Sequence, residues 1–354
     1  MLLSLAADHR VLFLGGKGGV GKTTIASATA LAAAQEGRRA LVVSTDPAHN
    51  LGHLWERRIG DRVTDLAGGG QPWPEGTAGG AAQVTGLLAG IEIDPDATTD
   101  AHLREVGHTL KRLMPADLAG EVDKHMELSR RSPGTHEAAV LERITELVET
   151  GMDQFDLVVF DTAPSGHTAR LMALPEIMTA WTDGLLSRRE KSQKLGAAMR
   201  GLDAGSILGS AQPRDPLEER DEEIRSILLR RRDRLAGLRD VLTDGQVCSF
   251  VIVLTAARLP VLETIELHRE LVRTGVDVGG LVVNKRSPSG HGDFLARRRA
   301  LEEEHLAALA QALPAVPVQQ VPLGQEDVVG AEAVAQLAGV LREVGGPETQ
   351  RSPR

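Results

Sequence analysis

Cysteine is almost absent from this chain of 354 residues, with Cys248 the only one. A single thiol excludes an internal disulfide and any four-thiolate metal site within one chain. Positive charge is also in deficit: 40 Lys and Arg against 49 Asp and Glu give a formal net charge of −9, which argues against a nucleic-acid partner. No stretch approaches the ~18 uninterrupted apolar residues of a membrane-spanning helix, so no span is expected. The opening residues MLLSLAADHR carry no basic leader, and their apolar run is too short for a signal peptide, which points to the cytoplasm. What is present, 42% hydrophobic and 25% charged residues, is the composition of a soluble globular protein able to bury a full core.

Six short runs read as apolar: VLFLG (11–15), ALVVST (40–45), FDLVVFD (155–161), SFVIVLT (249–255), GLVVNK (280–285) and PVQQVPL (317–323). Runs without polar alternation suit strands covered on both faces, as in a parallel sheet. Helix-like segments at 23–36, 262–273, 294–312 and 327–343 alternate with them, so the expected fold is α/β, a doubly wound and mostly parallel sheet. Two connections are too long for a plain crossover: about 110 residues separate the second run from the third and about 85 the third from the fourth, against about 30 for a βαβ unit. Residues 68–80, GGGQPWPEGTAGG, hold six glycines and two prolines and read as a mobile loop. The rest of the two insertions, about 97–150 and 168–240, predicts an inserted α-helical subdomain.

Every methionine after the first (Met114, Met126, Met152, Met172, Met178, Met199) falls inside the insertions. Such residues either fill a small helical core or furnish a pliable surface for apolar partners. The segment 217–240 runs from acidic to basic, as a solvated helix complementing its own dipole does. The tail GGPETQRSPR (345–354) is expected to be disordered.

Between the first run and the helix that follows, GKGGVGKT satisfies G-x-x-x-x-G-K-[ST], the phosphate-binding loop of P-loop NTPases. Gly16, Lys17, Gly18, Gly19, Val20 and Gly21 then curl the backbone around a phosphate beside the positive end of a helix that Lys22, Thr23 and Thr24 begin. In such a loop Lys22 reaches the β- and γ-phosphates of ATP and the Thr23 hydroxyl binds Mg²⁺. Doubly wound sheets bind ligands at the carboxyl ends of their strands. There the second run leads into STDPAHN (44–50) and the third into DTAPSGHTAR (161–170). Asp46 is expected to orient or deprotonate the attacking water and to lie at the metal, and Asp161 to hold Mg²⁺ through a bound water. Asn284 closes the fifth run and Pro322 and Leu323 the sixth, an amide and a nonpolar shelf for a purine ring. Lys17 is a second loop lysine. Its position resembles the deviant Walker A class, whose members use that lysine across a dimer interface on the partner's nucleotide.

GKGGVGKTT, STDPAHN, EIDP (92–95), SPG (132–134), DTAPSGHTAR, LPVLETIEL (259–267) and VVN (282–284) together resemble the ArsA/GET family of ATPases over about residues 10–340. That family includes the arsenite-pump ATPase and the ATPase that delivers tail-anchored membrane proteins. The resemblance implies one P-loop ATPase domain over 1–354, with signature lysine Lys17, catalytic Asp46, switch residue Asn50, second-switch Asp161, adenine-binding Asn284 and an adenine-side loop at 322–327. It also implies a homodimer whose helical subdomains join into an apolar groove for a hydrophobic client segment or an integral membrane protein.

Three departures stand out. No C-x-x-C follows Asn284, so no zinc clasp is expected; Ala257 stands where relatives place a glutamate that touches nucleotide across the interface; and one cysteine does not suit a thiolate-seeking metalloid. The expected function is an ATP-hydrolysing homodimeric switch that captures and releases a hydrophobic client. The alternatives are an ATPase subunit driving a membrane anion exporter and a partitioning or positioning ATPase.

Overall fold

A computed structural model of the chain describes residues 1–46, 50–68, 84–113, 119–132, 134–162 and 216–344. Among the described residues eight strands form one sheet: β1 (Val11–Gly15), β2 (Arg39–Ser44), β3 (Thr64–Gly68), β4 (Leu87–Glu92), β5 (Leu157–Asp161), β6 (Cys248–Thr255), β7 (Val278–Arg286) and β8 (Val318–Pro322). Their order is β3-β4-β2-β5-β1-β6-β7-β8. Every pairing is parallel except β3 with β4. The expected doubly wound, mostly parallel α/β sheet is therefore present. All five residues of β1 and all five of β5 are buried, which explains their unbroken apolar reading. Phe13 stacks on Phe160 with ring centroids 4.6 Å apart and on Phe250 at 6.5 Å, tying β5, β1 and β6 together on one face.

Among the described residues the helices are α1 (Leu2–Asp8), α2 (Lys22–Gln35), α3 (Asn50–Leu54), α4 (Pro95–Leu113), α5 (Ala119–Arg130), α6 (Thr135–Gln154), α7 (Pro216–Thr243), α8 (Arg258–Arg273), α9 (Asp293–Ala312) and α10 (Gly330–Val344). The glycine-rich loop leads into α2, which decides where the site sits. Twelve of its fourteen residues are buried, so it is covered all round rather than along one stripe. It packs on β2 and β5 and is itself covered by α1, α3 and α10, and its alanines allow that close approach on every side. A loop joined to such a helix is anchored in the core.

Among the described residues four elements lie outside the expected pattern, namely α1, α3, β3 and β4. The two strands bracket the glycine-rich stretch and explain part of the long second connection. β4 (LLAGIE) is interrupted by Gly90, where an added Cβ would lie 2.8 Å from Leu66 Cδ1 of the antiparallel neighbour. The glycine that blurs the strand signal is what lets β3 pack there. The β3–β4 register shifts between Asp65 and Ala67, and at the opposite edge β8 follows Pro317 and ends on Pro322. The loop expected at 68–80 falls, after Gly68, outside the described residues, as do 168–215 and the tail from 345.

The chain divides into two compact units. One comprises Met1–Thr98, Glu146–Met172 and Val241–Arg354 and holds the whole sheet. The other comprises Thr99–Thr145 and Ala173–Asp240, and its described part is helical, from α4, α5, α6 and α7. It buries Val122, Val140, Leu141, Ile144, Leu235 and Leu238. A partly buried polar cluster joins three of its helices: His102 Nδ1 lies 2.6 Å from Glu142 Oε2, and Arg231 pairs with the same carboxylate while its Nη2 lies 3.3 Å from His102 Nε2. Met126 and Met152 are half-buried, Met126 beside Gly107, and the other four insertion methionines lie outside the described residues. No helix among the described residues is long and apolar enough to cross a membrane.

Candidate functional site

The carboxyl ends of β1, β2 and β5, adjacent in the sheet, gather the candidate residues. β1 ends at Gly15, and the loop turns at once at Gly16, whose φ is +145°. A Cβ there would lie 2.0 Å from the Val253 carbonyl oxygen of β6, so only glycine fits. Gly21, at φ +92°, caps α2 in the left-handed region, and a Cβ there would lie 2.4 Å from Asn284 Nδ2. Gly18 and Gly19 are exposed between these fixed points, while Val20 is buried and pins the loop to the core.

Lys22, the first residue of α2, is buried, and its Nζ donates to the Lys17 carbonyl at 3.1 Å. Burial lowers the pKa of this ammonium, and the charges of Asp161 and Asp46 oppose that shift. Thr23 points its hydroxyl at Asp161, donating from Oγ1 to Oδ2 at 2.5 Å, and Ser44 Oγ donates to the same oxygen at 3.3 Å. Asp161 is fully buried at the end of β5. Burial, aided by the Asp46 charge and opposed by Thr23, Lys22 and Ser44, pushes its pKa up to about 7. Its Oδ1 has no hydrogen-bond partner among the described residues. Thr24, next on the helix, is half-buried.

Asp46 follows β2 and keeps to the same corner. Its backbone N–H donates to Ser44 Oγ at 3.4 Å, and Asn50 Nδ2 donates to its Oδ2 at 3.2 Å. The expected catalytic Asp46 and switch residue Asn50 thus meet directly. The backbone beneath is stitched together by Thr45 N–H to the Asp161 carbonyl at 2.9 Å and Thr162 N–H to the Leu14 carbonyl at 3.0 Å. Pro47–His49 and 163–170 lie outside the described residues.

An orphaned buried carboxylate oxygen beside a threonine hydroxyl is an all-oxygen donor set that suits a hard cation such as Mg²⁺. Among the described residues no group of three or more His, Cys, Asp and Glu is placed to hold a metal ion by itself. A cation at this corner would therefore draw its remaining oxygens from phosphate and water.

On the other side of the loop, Asn284 of β7 donates from Nδ2 to the Val20 carbonyl at 2.9 Å. Its Oδ1 accepts from the Lys285 backbone N–H at 2.8 Å, and Lys285 Nζ reaches the Gly19 carbonyl at 3.2 Å. Asn284 is thus a brace of the loop as well as a candidate base contact. Pro322 and Leu323 are exposed at the end of β8, one strand further out, tied back by the Leu323 N–H to the Arg286 carbonyl at 2.9 Å.

Two features escaped the sequence reading. Arg286 is buried to 2% and held by Glu302 and Glu303 at 2.5 Å each and Gln320 at 2.8 Å, while Ser287 Oγ donates to Glu302 at 2.6 Å. Burial lowers the Arg286 pKa, against the charges of those glutamates. No signal flagged it except its place two residues after Asn284. The second is Glu263, inside the quoted LPVLETIEL, whose Oε1 lies 2.7 Å from Lys17 Nζ.

The profile of a family described as "Anion-transporting ATPase" matches residues 9–343. The chain is 29% identical to an "ATPase ASNA1 homolog" of Leishmania infantum, over 98% of this chain and 96% of that protein. It is 30% identical to "ATPase GET3C" of Arabidopsis thaliana, over 94% and 82% respectively. To an "Arsenical pump-driving ATPase" of Escherichia coli it is 29% identical over 92% of its own length, but it spans only 48% of that protein.

Proposed function

Because the chain belongs to the anion-transporting ATPase family, we propose that this ATPase works as a Mg²⁺-dependent, cytoplasmic homodimeric switch that captures a hydrophobic client on binding ATP and releases it after hydrolysis. The observation that carries the catalytic part is the 2.5 Å bond from Thr23 to buried Asp161 beneath the glycine loop. It sets a helix-borne hydroxyl and a strand-borne carboxylate at one corner, beside Lys22.

In this reading the N–H groups of residues 16–21 and the Lys22 ammonium hold the phosphate oxygens. Thr23 and Asp161 hold Mg²⁺, which supplies charge neutralisation of the phosphates when bound. Asp46, itself held by Asn50, aligns the attacking water and takes its proton. Lys17 of each subunit offers a cation to the other's triphosphate, where charge develops in the transition state. Asn284, Pro322 and Leu323 flank the base.

The client assignment draws on the ArsA/GET resemblance and on the insertion methionines. The anion-exporter reading draws on the arsenical pump-driving relatives; this chain spans about half the length of some of them and 99% of a "Putative arsenical pump-driving ATPase 2" of Aquifex aeolicus. Cys248 weighs against direct metalloid binding: burial pushes the pKa of its thiol up, so the thiolate a soft metalloid needs is suppressed. Cys248 also stands alone.

The test is hydrolysis at graded protein concentration. Activity per subunit rises with concentration in the wild type and falls at least about a hundredfold in Lys17→Ala and Asp46→Asn, the scale expected for lost transition-state contacts. Hydrolysis proportional to concentration and untouched by Lys17→Ala overturns the homodimer. Mass spectrometry of what stays bound to Asp46→Asn with ATP identifies the client. Stimulation by an oxyanion with no client captured favours the exporter.

A further inference from the structure

The lysine assigned above to a partner's nucleotide is held, within the single chain, by its own α8. Lys17 Nζ and Glu263 Oε1 are 2.7 Å apart, and both side chains are partly exposed, 41% and 37%. The other carboxylate oxygen, Oε2, is buried and has no hydrogen-bond partner among the described residues. Among the described residues Glu263 therefore takes its hydrogen bond from Lys17 alone.

The meeting of the two is set by rigid parts. Gly16 lies so close to the Val253 carbonyl that no side chain fits, which fixes residue 17 over the end of β6. α8 packs on the same strand, with Val261 and Thr264 buried to either side of Glu263. Loop and carboxylate are thus referenced to one strand, and the small crevice between them is lined by Gly16, Lys17, Pro260 and Glu263.

We infer that Glu263 is a positioning residue that parks the Lys17 ammonium on its own subunit, so that the cation reaches a second copy's triphosphate only when pairing displaces this intrachain bond. This rests on the homodimer reading above. The strength suits the task. A pair this exposed biases an equilibrium by a few-fold rather than locking it, because solvent screens both charges. Lys17 can leave when a triphosphate competes for it. Since each pairing event frees two lysines, a bias of about threefold per subunit becomes about tenfold per dimer.

The experiment is sedimentation velocity of the full chain at graded concentration, with Mg²⁺ and a non-hydrolysable ATP analogue. Glu263→Gln, isosteric and uncharged, pairs at about three- to tenfold lower concentration than the wild type. Glu263→Asp keeps the charge and falls between them. In a Lys17→Ala background, removing the carboxylate shifts nothing, because there is no ammonium to release. Pairing that is unchanged or weakened in Glu263→Gln, or improved equally without Lys17, overturns the inference while leaving the homodimer intact. A wild type that stays monomeric at every concentration overturns the homodimer, and the inference with it.

Discussion

At the scale of single residues, the site is built on positions where one atom more does not fit. Gly16 combines a positive φ with a backbone oxygen 2.0 Å from the place a Cβ would take, and a carbonyl in a central strand cannot move aside. Gly19 shares the positive φ, at +79°, but nothing lies within 4 Å of its Cβ direction. Gly16→Ala is therefore expected to destabilise the nucleotide-free protein by about 2 kcal/mol or more, from backbone strain and overpacking together. Gly19→Ala costs only the left-handed backbone term, about 1 kcal/mol. Denaturant titration of both variants checks the difference, and equal losses refute it. The loop motif fixes glycine at 16 and leaves 19 open, and the contact with β6 shows why.

At the scale of elements, the helical unit is joined by charge where its helices meet. Burial opposes ionisation of Glu142, but the hydrogen bond from His102 and the charge of Arg231 outweigh it and hold its pKa below the ordinary value. A carboxylate with a depressed folded pKa adds stability above its unfolded value, about 4.3, and loses it as pH falls through the folded one. Glu142→Gln should therefore lower the melting temperature clearly at pH 7, and the difference from the wild type should shrink towards pH 3. A gap that is constant with pH sinks the assignment.

The same scale shows what the sequence makes legible. Strands covered on both faces announced themselves: the runs at 11–15, 155–161 and 249–255 became β1, β5 and β6 within two residues at each end. β3 and β4 did not, because Gly90 interrupts one and the other is a five-residue edge strand. In the site, Lys22, Thr23 and Asp161 were legible because phosphate chemistry fixes their spacing from the strand ends. Arg286 and Glu263 were not. Each has a partner 16 or more residues away, and no local pattern records such a meeting.

At the scale of the whole molecule, the chain forms two compact units, one built on a sheet and one helical in its described part, each from segments distant in sequence. Units with separate buried interiors open with separate free energies. Calorimetry is expected to resolve two unfolding transitions, with Gly16→Ala lowering one and Glu142→Gln the other; a single transition moved alike by both refutes this. The borders of the sheet matter at this scale too. One rim strand is five residues long and slips register between Asp65 and Ala67, and the other is bounded by prolines, which lack the N–H a further strand would need. Neither border offers an even ladder for another copy to extend, so this fold is guarded against growing into fibrous stacks, and recognition between molecules is left to side chains.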